Sequence, residues 1–114
     1  MLFESERKVM EVLWREGSLT AGEISKILAL ETGWNRNTTY TVINKCIGKG
    51  YIVRGKNKFI CTAVLSKSKV QREELSDIIE KYFDGSPVRL FNTLAEISEK
   101  QDLKKMKKII KNTD

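Results

Sequence analysis

Apolar residues recur every three to four positions along most of this chain, and the recurrence breaks at a few glycines and capping residues. Ser5 can cap a first helix that runs to about Glu16 and stops at Gly17, with Val9, Met10, Leu13 and Trp14 on one buried face. Ser18-Leu19 forms a short extended link. Thr20-Ala-Gly-Glu23 has the spacing of a capping box, which starts a second helix through about Glu31 with Ile24, Ile27 and Leu28 inward. Thr32-Gly33-Trp34 breaks it, with Trp34 expected as an anchor between helices two and three. Asn35 then caps a third helix that ends before Gly50. Tyr51–Val53 and Phe59–Cys61 are β-prone runs, and the joining residues Arg54-Gly55-Lys56-Asn57-Lys58 suit a tight hairpin.

The two faces of the third helix differ in kind. Thr39, Val42, Ile43, Cys46 and Ile47 fall on one stripe at i, i+3, i+4, i+7 and i+8. The opposite stripe carries Asn37, Tyr40, Thr41, Asn44, Lys45 and Gly48, with hydrogen-bonding and basic groups but no carboxylate. That property extends well beyond the helix. From Thr32 to Arg72 there is no acidic residue and there are nine basic ones: Arg36, Lys45, Lys49, Arg54, Lys56, Lys58, Lys67, Lys69 and Arg72. Such a surface repels no polyanion, so phosphate is the leading candidate for what it touches. Three helices followed by a basic hairpin follow the winged helix-turn-helix plan, in which a helix enters the DNA major groove beside a basic loop. The expected fold is mostly α with a small β-hairpin.

After Ala63 the chain reads as helix almost to its end. Leu75, Ile78, Ile79, Tyr82 and Phe83 line a first long helix, which Asp84-Gly85 breaks. Ser86 and Pro87 restart the helix as cap and first helical residue. Leu90, Phe91, Leu94 and Ile97 line the next helix, and Leu103, Met106, Ile109 and Ile110 line a short lysine-rich one. This segment is too short and too one-sided to close a core alone. A second copy across a two-fold axis is the expected partner, and folding back on the N-terminal part is the alternative. The expected organisation is residues 1–65 as a winged-helix DNA-binding domain and 66–114 as a helical dimerisation domain.

Composition removes several classes of function. The 114 residues are 40% hydrophobic with a net charge of +6, which fits a folded basic protein. There is no histidine, so the commonest general base and every Ser/His or Cys/His pair are missing. Cys46 and Cys61 sit in apolar patterns and read as small buried hydrophobes, and two isolated thiols cannot build a zinc site. Glu73, Glu74 and Asp77 read as solvated charge. No enzyme activity, metal or cofactor is expected. No apolar run approaches the length of a membrane span and no signal peptide precedes the first helix, so a cytoplasmic location and no membrane insertion are expected.

Roles follow from position. Arg36, Asn37, Thr38, Tyr40 and Thr41 lie at the start or on the outer face of the third helix and are assigned to base edges or the phosphates beside them. Arg36 can donate two hydrogen bonds to guanine, Asn37 can pair with adenine, and threonine methyls can meet thymine. Tyr40 has packing against the hairpin as its alternative. Asn44 and Lys45 are assigned to phosphate, as are Lys56 and Lys58 on the hairpin, with Arg54 on the same surface. Two other readings compete: a winged helix that docks protein, and a nucleic-acid-binding protein without sequence choice. The first wants carboxylates or apolar patches on the outer face of helix three. The second wants stacking aromatics, for which only Tyr40 and Tyr51 are candidates.

The chain resembles the BlaI/MecI-type penicillinase repressor family, which includes copper-responsive members. The resemblance rests on Glu4-Ser-Glu-Arg-Lys-Val-Met-Glu-Val-Leu-Trp14, Leu19-Thr-Ala-Gly-Glu-Ile24, Thr32-Gly-Trp-Asn-Arg-Asn-Thr38, Thr41-Val-Ile-Asn-Lys45 and Lys49-Gly50, then on Tyr82-Phe-Asp-Gly-Ser86 and Asp102-Leu103. It implies a homodimeric bacterial repressor on a palindromic operator upstream of resistance or homeostasis genes. In antibiotic-responsive members it also implies release by cleavage after a membrane sensor protease detects a β-lactam. Three departures stand out. The family's recognition helix usually begins Ser-Pro-Lys, whereas here it begins Asn35-Arg36-Asn37, so a different operator is expected. The Asn-Phe cleavage bond corresponds to Asn92-Thr93, with Phe91 before the asparagine. The copper branch's C-terminal Cys-x-Cys is replaced by Lys111-Asn-Thr-Asp114, so metal sensing by that route is not expected.

Overall fold

A computed structural model describes residues 2–113; the outermost residues of the two expected domains, Met1 and Asp114, lie outside it. The elements run α1 (Glu4–Glu16), β1 (Leu19–Thr20), α2 (Ala21–Thr32), α3 (Arg36–Gly48), β2 (Ile52–Arg54), β3 (Ile60–Ala63), α4 (Lys67–Tyr82), α5 (Pro87–Ile97) and α6 (Lys100–Lys111). The chain divides into two compact units, one ending at Arg72 and the other starting at Glu73. The division falls inside α4, whose early turns carry the buried Val70.

In the first unit, α1, α2 and α3 enclose a core of Val9, Met10, Val12, Leu13, Ala21, Ile24, Leu28, Val42, Ile43 and Cys46. Ile52 and Cys61 close it from the sheet side, and Trp34 packs half-buried against it. The expected capping box forms at α2, where the Glu23 N–H donates to Thr20 Oγ1 at 3.1 Å and the Thr20 N–H donates to Glu23 Oε1 at 3.1 Å. The Thr38 N–H donates to Asn35 Oδ1 at 2.8 Å, so Asn35 caps α3. Gly33 ends α2 at φ 75°, a left-handed conformation that a side chain would oppose.

Three local expectations are corrected. α1 begins at Glu4 rather than after Ser5, because the Glu6 carboxylate accepts the Phe3 N–H at 2.9 Å and fixes the first turn there. The link Leu19–Thr20 is a third strand, pairing antiparallel with β3 through Leu19↔Cys61 and Thr20↔Ile60 to give the order β1-β3-β2. The hairpin strands are shifted by a residue. The Tyr51 N–H closes α3 by donating to Cys46 O at 2.9 Å, so β2 starts at Ile52 and includes Arg54, which pairs with Cys61. Phe59 lies outside β3, and its carbonyl accepts the Ala21 N–H at 2.7 Å.

Glu6 is the feature that the sequence pattern concealed. Its side chain is 1% exposed, and both carboxylate oxygens face Lys49 Nζ, at 3.0 Å and 2.7 Å. The Lys49 ammonium also lies 4.2 Å from the Phe3 ring centroid. This joins the start of α1 to the end of α3. Burial disfavours the charged form of Glu6, but Lys49 and the Phe3 N–H more than offset it and hold the carboxyl below its ordinary range.

In the second unit Asp84 (φ 52°) and Gly85 (φ 75°) make the expected break. Ser86 Oγ accepts the Arg89 N–H at 3.2 Å, which restarts the chain as α5 with Pro87 first. None of the described residues from Glu73 onward is fully buried. Among the described residues no helix is long and apolar enough to cross a membrane.

Removing Lys49 leaves a buried carboxylate with little but a backbone N–H. Lys49→Met is expected to lower stability by about 1–3 kcal/mol in urea melts near neutral pH. Glu6 has a depressed pKa, so its contribution is complete above the ordinary carboxylate range and is lost as pH falls through the folded-state value. The gap between wild type and Lys49→Met therefore narrows on acidification; an unchanged gap near pH ~3 contradicts the assignment.

Candidate nucleic-acid interface

Burial of Thr39, Val42, Ile43 and Cys46 orients α3 and leaves its other side in solvent. Asn37, Thr41, Asn44, Lys45 and Gly48 are all exposed, as are Arg36 and Thr38 in the first turn. The first turn of α3 has no acidic residue, so the positive end of the helix dipole and Arg36 act together. The Thr41 hydroxyl donates to Asn37 O at 2.8 Å. That contact satisfies the hydroxyl proton within the helix and leaves the threonine methyl available to an apolar partner.

The hairpin supplies a second row of cations. Arg54 is exposed at the end of β2, and Lys56 and Lys58 are exposed in the turn. The Gly55 N–H donates to Ile60 O at 2.8 Å and the Ile60 N–H donates to Lys58 O at 2.6 Å, which tightens the tip. The hairpin is tied to the helices through Phe59, whose carbonyl receives the α2 N-terminal N–H described above.

Tyr40 takes its alternative position. It is half-buried, and its ring meets Phe59 nearly perpendicularly, at 86° with centroids 5.7 Å apart. Its hydroxyl accepts from Arg36 Nη2 at 2.9 Å, and the Arg36 guanidinium carbon lies 4.9 Å from its ring centroid. The Arg54 guanidinium carbon lies 3.8 Å from the Phe59 ring centroid. Sequence reasoning missed Phe59 because it reads as an ordinary strand aromatic. The only signal was an aromatic beside a hairpin with cations on both sides. Lys49, counted among the nine basic residues, is directed to Glu6 and faces away from this role.

The remaining candidates fall in the second unit. Ile79, Phe83, Leu90, Leu103 and Met106 are half-buried. Leu75, Ile78, Tyr82, Phe91, Leu94, Ile97 and Ile110 are exposed, as is Ile109. Asn92 and Thr93 are exposed within α5. Glu73, Glu74 and Asp77 are exposed on α4. Cys46 and Cys61 are buried free thiols, and burial pushes them up to about 12 and about 11 respectively. Among the described residues, no cluster of three potential metal ligands occurs.

The chain is similar to known proteins in sequence and in the fold of its first unit. The family profile described as penicillinase repressor matches residues 2–112. The methicillin resistance regulatory proteins MecI of Mammaliicoccus sciuri and Staphylococcus aureus are each 26% identical over 102 residues, covering 87% of this chain and 80% of the relative. The penicillinase repressor of Bacillus licheniformis is 24% identical over 85 residues, covering 73% of this chain and 66% of the relative. Among solved structures, the DNA binding domain of the repressor BlaI superposes with a TM-score of 0.55 at 27% identity, covering 60% of this chain and 85% of that one. The winged-helix fold of the first unit is shared with that domain, and the family profile spans both units: this chain belongs to the penicillinase repressor family.

Proposed function

We propose that this chain is a sequence-specific DNA-binding transcriptional repressor that occludes a promoter as a homodimer on a palindromic operator. The observation that carries the reading is the outer side of α3, exposed except at the half-buried Tyr40 and free of carboxylates. An α-helix fits the major groove, and side-chain amides, hydroxyls and guanidinium on its exposed side can meet base edges. Arg36, Asn37, Thr38 and Thr41 read bases in this scheme. Asn44, Lys45, Arg54, Lys56 and Lys58 hold phosphate and give affinity without sequence information. The similarity to a solved DNA-binding domain of a repressor supports DNA binding by the first unit. Relatives described as methicillin resistance regulators make antibiotic-resistance genes one class of candidate target.

The second unit supports the dimer. It has many apolar side chains and not one fully buried residue among those described, so its apolar stripes lack the cover that a stable helical unit needs. A second copy supplies that cover isologously. Two linked heads also raise affinity through effective concentration.

Base readers and phosphate binders separate in binding assays. Asn37→Ala is expected to relax preference at one position per half-site, at roughly 1–3 kcal/mol, with non-specific binding nearly intact. Lys56→Ala is expected to weaken selected and random duplexes alike and to lower the salt slope by about one. A change of preferred sequence in Lys56→Ala contradicts the role. With ~6–10 phosphates neutralised by two heads, affinity falls ~10³–10⁵-fold between ~50 and ~200 mM salt, so a salt-insensitive complex contradicts the interface. Phe91→Glu is expected to give a monomer in sedimentation and to weaken operator binding; a dimer that persists argues against an interface through α5.

A further inference from the structure

The two arginines of the interface do not stand alone. Arg54, Phe59, Tyr40 and Arg36 form one continuous chain of contacts: guanidinium to ring centroid at 3.8 Å, ring edge to ring face with centroids 5.7 Å apart, and ring centroid to guanidinium at 4.9 Å with a 2.9 Å hydrogen bond. We propose that Phe59 is a positioning residue for DNA recognition, which fixes the aim of Arg54 directly and of Arg36 through Tyr40, so that hairpin and recognition helix read the duplex as one unit. This rests on the DNA-reading function proposed above.

Three observations carry the inference. First, Phe59 is itself held. It packs half-buried against the core, and its carbonyl accepts the Ala21 N–H at 2.7 Å, so the ring is fixed relative to the start of α2. Second, a guanidinium held against a ring keeps N–H donors for phosphate or guanine: no side-chain hydrogen bond of Arg54 competes among the described residues, and Arg36 gives one Nη2 donor to the Tyr40 hydroxyl and keeps the others. Third, neither Arg36 nor Arg54 forms an ion pair among the described residues, and the segment from Thr32 to Arg72 contains no carboxylate that could draw them elsewhere.

The consequence is preorganisation. A free arginine on a hairpin samples many rotamers and loses that freedom on binding, whereas one held against a ring has lost much of it beforehand. The benefit is largest in the one register where both guanidiniums meet their targets together. Random DNA offers scattered phosphates that a loose arginine reaches equally well. The chain of contacts is therefore expected to influence the ratio of specific to non-specific affinity more than total charge does.

The test uses the full chain, a duplex that wild type selects from a randomised pool, and a random duplex of equal length. Phe59→Leu is expected to bind the selected duplex ~5–20-fold more weakly while changing random binding by under ~2-fold. In that background Arg54→Ala is expected to cost much less than in wild type, because its aim is already lost. Phe59→Tyr retains a ring and is expected to rescue binding. Arg54→Lys keeps the charge and the core but gives up the guanidinium held against the ring, so it is expected to follow Phe59→Leu even if the latter melts early. Equal losses on both duplexes, additive Phe59 and Arg54 effects, or an Arg54→Lys variant that binds like wild type would each overturn the proposal. A wild type that enriches no duplex overturns the DNA-reading function itself, and the positioning role with it.

Discussion

Burial of the Thr39, Val42, Ile43 and Cys46 stripe is the constraint on which the rest of the first unit depends. A helix with one apolar stripe has one way to face a core, so the opposite side is determined at the same time. Everything that the outer side presents, from Arg36 to Lys45, is therefore positioned by residues buried on the opposite side. The sheet completes this arrangement. Ile52 and Cys61 face inward, which orients the hairpin so that Arg54, Lys56 and Lys58 are exposed beside α3.

The Glu6–Lys49 pair complements that stripe at the other end of α3. A carboxylate in the core is costly unless it is neutralised and hydrogen-bonded, and here Lys49 and the Phe3 N–H do both. Lys49 thereby pins α3 to α1 where the apolar contacts run out. It also sets Lys49 apart from the exposed basic residues of α3 and the hairpin: a lysine next to them in sequence is drawn inward when a buried acid lies close.

Most features governed by neighbouring residues were legible in the sequence, the start of α1 at Glu4 in place of a Ser5 cap being the exception. The Thr20–Glu23 box, the Asn35 cap, the Asp84-Gly85 break and the Ser86-Pro87 restart all depend on partners within a few positions, and all formed as read. The stripes of α3 were legible because a single periodicity decides them. Long-range partnerships were not. Glu6 and Lys49 are 43 positions apart, and each looks like ordinary surface charge in its own helix. Two-residue β1 is too short to show alternation, so its pairing with β3 was invisible. The orientation of Tyr40 toward Phe59 rather than outward is a tertiary choice of rotamer. Helical phase narrows such a choice but does not make it.

The two thiols bear on what this molecule can sense. Cys46 and Cys61 lie wholly within the packed interior, and burial keeps both protonated far above neutral pH. Peroxides and electrophiles attack the thiolate, so neither sulfur offers them a ready nucleophile. A chain built this way can meet oxidants with its helices in register, since both sulfurs are parts of the packing and not of its surface.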